Sequence, residues 1–82
     1  MSYGVFILRG AGRQLAGLPS EAYTEVRDSI RALAVDPLPP QSMRIANRDG
    51  WHVRVGKYRV IYEVDSRAGE VTVLEVGQRS DV

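Results

Sequence analysis

The chain has 82 residues, no cysteine, one histidine and a formal net charge of +1. That length allows one small domain around one core, and the missing cysteines exclude a disulfide framework and, with a single histidine, argue against a zinc centre. The opening residues, MSYGVFILRG, lack the basic start, long apolar run and cleavage site of a secretory signal, and no apolar run reaches membrane-spanning length, so the cytoplasm is the default address.

Tyr3 to Leu8 is a β-favouring run of low polarity, expected as a first, well-covered strand. Arg9 to Leu18 mixes helix formers with three glycines; each costs about 1 kcal/mol relative to alanine inside a helix, so a short helix held by packing is expected. Pro19-Ser20 then supplies a start signal, proline tolerated in a first turn and serine able to cap. Behind it Ala22, Val26, Ile30, Leu33 and Ala34 recur at helical spacing, with Glu21, Glu25, Arg27, Asp28 and Arg31 on other faces. This predicts an amphipathic helix, acidic early and basic late as the helix dipole favours. The run Asp36-Pro-Leu-Pro-Pro40 ends it, because proline lacks a donor and restricts the residue before it.

Four strand-like segments follow: Gln41 to Ala46, Trp51 to Val55, Lys57 to Asp65 and Glu70 to Val76. Asn47-Arg-Asp-Gly50 and Ser66-Arg-Ala-Gly69 carry turn chemistry between them. The expected fold is α+β: one domain over residues 1–82, with two N-terminal helices packed on one face of a twisted, mainly antiparallel four-stranded sheet. Period-two alternation puts Trp51, Val53, Val55, Tyr58, Val60, Tyr62 and Val64 towards the helices, and His52, Arg54, Arg59, Ile61 and Glu63 on the other side. In the last strand it groups Thr72, Leu74 and Val76 on one side and Val71, Val73, Glu75 and Arg79 on the other.

Ten of the eleven basic residues are arginine, and five of the eleven (Arg44, Arg48, Arg54, Lys57, Arg59) lie between positions 44 and 59 against one acid, Asp49. Arginine's planar fork suits bidentate contact with phosphate or carboxylate, so this local patch points to an anionic partner. The plainer reading is a solvated sheet surface.

The run Gly50 to Val82, GWHVRVGKYRVIYEVDSRAGEVTVLEVGQRSDV, resembles the C-terminal half of the RelE/ParE superfamily of type II toxins. The shared pattern is an aromatic residue, a basic-apolar-basic strand, Gly-x-Tyr-Arg-apolar-apolar-Tyr, a hairpin, then apolar-x-apolar-Gly-x-Arg. The earlier half fits through its opening strand, Leu18-Pro19 before the long helix, and the exit at Leu33 to Pro37. The resemblance implies a microbial-ribonuclease-like fold and one of two activities: ribosome-dependent cleavage of mRNA without metal or cofactor, or inhibition of DNA gyrase. Either is normally silenced by a cognate antitoxin, in a toxin–antitoxin hetero-oligomer.

Metal-free RNA cleavage uses the 2′-hydroxyl as nucleophile and requires a proton acceptor, a donor for the leaving 5′-oxygen and cations for the phosphate. By the resemblance, Arg59 and Arg79 would grip the scissile phosphate or assist the leaving group. Arg54 and His52 match the two basic positions of the preceding strand. His52, with an ordinary pKa of about 6.5, is the best-qualified base, since arginine stays protonated. Glu63 and Glu75 are possible partners by strand parity. Arg44, Arg48 and Lys57 would add substrate-binding charge, and Trp51 could stack on a base or anchor an antitoxin.

Three departures stand against the nuclease pattern. The superfamily's Lys-Lys-Leu-x-Gly corresponds to Met43-Arg-Ile-Ala-Asn47, with one cation fewer; Lys57 takes a place often held by Asp; and a functional side chain often follows the final arginine, where this chain has Ser80, Asp81 and Val82. A gyrase inhibitor and a weakened antitoxin-binding module therefore stay open as alternatives.

Overall fold

A computed structural model of the protein describes residues 2–78, in the order β1 (Gly4–Ile7), α1 (Arg9–Ala16), α2 (Ser20–Ala32), β2 (Met43–Arg44), β3 (Trp51–Val55), β4 (Tyr58–Asp65) and β5 (Glu70–Gln78). The sheet order is β1-β5-β4-β3-β2. All neighbours are antiparallel except β1 and β5, which run parallel. The α+β architecture with two helices on one sheet face is as the pattern implies, but the sheet has five strands rather than four. The extra strand is β1, joined beside β5, while the segment expected from Gln41 to Ala46 pairs only at Met43 and Arg44.

Both helices bury one stripe. From α1 come Ala11 and Leu15, from α2 Val26 and Ile30, with Leu33 just past its end. They meet Val53, Val55, Val60, Tyr62, Val71, Val73 and Val76 of the sheet in a single apolar cluster. Ser20 opens α2 but makes no side-chain cap; Pro19 holds the N-cap position. The proline-rich connector is tied down by Tyr62, whose buried hydroxyl donates to the Pro37 carbonyl at 2.8 Å. Burial pushes the Tyr62 pKa up, because the phenolate would lose its hydration.

β1 corrects one expectation. It is an edge strand with pairing on one side only, so Phe6, Ile7 and Leu8 are exposed rather than well covered. β5 corrects another. Ile61 pairs with Glu75 while Tyr62 pairs with Val73, which leaves Leu74 as an extra residue in a β-bulge. The bulge reverses the alternation, so Val71 and Val73 join Val76 in the core and Thr72 turns to the open side.

A two-residue turn, Gly56-Lys57, joins β3 to β4. Its positive φ falls on Gly56 alone, at 59°, the II′ arrangement that fits the right-handed twist of the flanking strands. Val55 thereby faces Tyr58, and the next pair out is Arg54 facing Arg59. Among the described residues no helix is long and apolar enough to cross a membrane.

Candidate functional site

The face of the sheet away from the helices is built in rows by the strand register. The row nearest the β3–β4 turn holds Arg54, Arg59 and Gly77. The next holds Met43, His52, Ile61 and Glu75. Beyond them lie Glu63 beside Thr72 and Asp65 beside Glu70. Charge is therefore graded along the face, basic at the turn end and acidic at the other.

Arg54 and Arg59 carry like charges on directly opposite positions, where Cα atoms stand about 4.5–5.5 Å apart and such pairs destabilise a sheet. Among the described residues neither is paired with a carboxylate. Two arginines on facing positions, neither paired with a carboxylate among the described residues, favour an anion beside them.

His52 lies one row away, half-buried, with Ile61 buried beside it and exposed Met43 on its other flank. Its Nδ1 is buried, with no hydrogen-bond partner among the described residues, so exchange with a ligand has to run through Nε2. Burial first, then the charges of Arg59 and Arg54, holds the His52 pKa below its ordinary value. The imidazole is neutral at neutral pH.

Arg48, from the β2–β3 loop, also reaches this face. Its Nη1 meets Glu75 Oε2 at 3.4 Å, an exposed pair. Glu75 is thereby committed to Arg48, and Glu63 sits at the acidic end. Arg44 and Trp51 are not part of the basic row. They pair with each other on the helix-side parity, at the β2 edge, with the Arg44 guanidinium 5.2 Å from the Trp51 ring centroid. Lys57, in the turn, lines a small hollow of about 190 Å³ with Glu21 and Glu25, also towards the helices. Arg79 lies outside the described residues.

A roomier depression of about 520 Å³ lies elsewhere, lined by Arg44, Trp51 and four carboxylates: Asp49, Glu63, Asp65 and Glu70. Four acids repel a polyanion, so size does not make this the phosphate site. Among the described residues no group of three or more histidine, aspartate or glutamate side chains could hold a metal ion.

The sequence did not single out Met43, Ile61 or Gly77, the apolar and empty positions among the charged ones. For Gly77 the signal was hidden: carried on from the Asp65–Glu70 pair, a regular ladder sets Val76 against Arg59, and only the bulge at Leu74 brings Gly77 there.

The two-helix, five-stranded architecture is that of the small α+β toxins of type II toxin–antitoxin systems. The sequence matches the family model for the ParE toxin of type II toxin-antitoxin system, parDE, over residues 9–82, and the chain belongs to this family, within the RelE/ParE superfamily. No curated protein sequence matches it. Among solved structures it is similar to the RelE–RelB complex of Pyrococcus horikoshii OT3 (25% identity, all of both chains, TM-score 0.84). It is also similar to the RelBE2 toxin–antitoxin complex of Mycobacterium tuberculosis (24% identity, 96% of this chain and 100% of that one, TM-score 0.85). The intact RelBE complex of E. coli shares the fold at 17% identity (96% of this chain and 99% of that one, TM-score 0.82).

Proposed function

We propose that the protein is a ribosome-dependent mRNA endonuclease that works without a metal, and that a cognate antitoxin neutralises it. The observation that carries this reading is the Arg54–Arg59 couple, without a carboxylate partner among the described residues, with neutral His52 one row away. A phosphodiester held between the two guanidinium groups has its negative charge matched, and the added charge that builds on its non-bridging oxygens in the transition state is matched better still. The 2′-oxygen attacks phosphorus, its proton passes to His52 Nε2, and the 5′-oxygen leaves with a proton from a cationic donor or water, giving a 2′,3′-cyclic phosphate. An imidazolium beside two arginines is costly in the free protein. The bound phosphate offsets that cost, so His52 becomes a competent base only with substrate in place.

The test is translation-coupled mRNA cleavage by purified protein, mapped by primer extension. Wild type is expected to give discrete stops, absent in Arg54→Ala/Arg59→Ala and in Arg59→Ala/Arg79→Ala. Stops that persist in these variants sink the reading.

The match to the ParE family model favours a second reading, inhibition of DNA gyrase. Inhibition of supercoiling at low protein concentration with translation untouched decides for it.

For the antitoxin, the supporting feature lies across the molecule. The unpaired edge of β1, with Phe6 and Ile7 exposed, borders an apolar groove of about 390 Å³ lined by Ile7, Leu15, Tyr23 and Ile30 and flanked by Arg27 and Arg31. Such a surface suits an acidic segment that folds onto it with apolar anchors. Ile7→Glu is expected to weaken co-purification with the product of a neighbouring gene while leaving cleavage intact.

A further inference from the structure

Gly77 is the next-to-last residue of β5, directly opposite Arg59 on the open face. Its φ lies outside the left-handed region, so its backbone does not require glycine, and a Cβ built there would meet nothing within 4 Å among the described residues. Among the described residues neither strain nor crowding explains the missing side chain. Glycine inside a strand is unfavourable by roughly 0.5–1 kcal/mol relative to alanine. Such a glycine marks a bulge, a bend, or a close approach by a ligand or another stretch of backbone, and the bulge of β5 falls at Leu74 instead.

The surroundings define what that ligand is. Across the ladder from Gly77 stands Arg59, and in the adjacent row lie Ile61, buried, and Glu75, paired with Arg48. A bare peptide floor, an apolar side and a planar cation fit a flat, uncharged ring that stacks rather than a second phosphate. Resting on the reading of Arg54 and Arg59 as a phosphate clamp, we propose that Gly77 is the floor of a nucleoside subsite, which takes the base next to the clamped phosphodiester of a single-stranded RNA. Any side chain here occupies the place of the base.

The experiment measures binding of a short single-stranded oligoribonucleotide, 2′-deoxy at the cleavage position, and of inorganic pyrophosphate, to wild type, Gly77→Val, Gly77→Ala and Arg59→Ala. The expected result is at least tenfold weaker oligonucleotide binding by Gly77→Val, a smaller loss by Gly77→Ala, and unchanged pyrophosphate binding by both. Their melting temperatures should equal or exceed wild type. Arg59→Ala should weaken both ligands. Oligonucleotide binding unchanged in Gly77→Val overturns the subsite while leaving the clamp standing. Oligonucleotide binding unchanged in Arg59→Ala, or absent in wild type, overturns the clamp itself. Should Gly77→Val fail to fold, Gly77→Ala decides: full-strength oligonucleotide binding by that variant overturns the proposal.

Discussion

The two faces of β4 differ in how completely their groups are satisfied. On the helix side Tyr62 is fully buried, opposite Val73, and its one polar atom donates to Pro37. On the open side Arg59 faces Arg54, and among the described residues neither is paired with a carboxylate and the buried His52 Nδ1 has no partner. Eight residues thus carry a satisfied surface and a frustrated one back to back. Stability is concentrated on one side, and the capacity to bind an anion on the other, because only groups left unpaired by the protein are free to pair with a ligand.

Mutations should separate the two. Tyr62→Ala is expected to lose about 3–5 kcal/mol of unfolding free energy, read by denaturant titration, since it empties a fully buried site. Tyr62→Phe should lose only about 0.5–1.5 kcal/mol, the net worth of one hydrogen bond to the carbonyl of half-buried Pro37. Next in size, Arg59→Ala should lower cleavage on the order of 10²–10³-fold. The same change should leave stability unaltered or raise it by about 0.2–1 kcal/mol, because a like-charge pair is removed. A large loss of stability in Arg59→Ala would erase the contrast between the faces.

His52 sharpens the comparison further. His52→Ala should lower cleavage about 10²-fold, the low end for proton transfer, since the base is weakened by two adjacent cations. His52→Gln keeps a hydrogen-bonding group but cannot accept the proton, so equal losses in the two variants indicate proton transfer, and recovery in the glutamine variant indicates hydrogen bonding. The smallest effect is on stability against pH. Because the folded-state pKa of His52 is lowered, the unfolded chain binds more protons just below about pH 6.5. Stability should therefore fall as pH drops from about 6.5 through the lowered value, and His52→Gln should flatten that part of the curve.

Much of this was legible in the sequence. Helical spacing located α2, and strict alternation in WHVRV and YRVIYEVD put His52, Arg54 and Arg59 on one side and Val53, Val60 and Tyr62 on the other. Neighbourhood in sequence was a poorer guide than parity. Arg44 falls in the same basic stretch but is an edge residue on the opposite face, stacked on Trp51. Arg48 is in a loop, where no period applies, and only the folded chain shows it reaching Glu75. The exposure of β1 was hidden because an edge strand and a buried one have the same apolar composition.

The bulge at Leu74 has a consequence for how the molecule can be altered. With Leu74 left out, β5 reads Val71, Thr72, Val73, Glu75, Val76, Gly77, an unbroken in-and-out alternation in which the observed pairs with β4 all keep one register. The strand is an eight-residue pattern with one residue added for curvature. Deleting Leu74 should keep the core contacts and change the angle at which the end of β5 passes Arg59. The aim of the strand can thus be tuned separately from the packing that holds it.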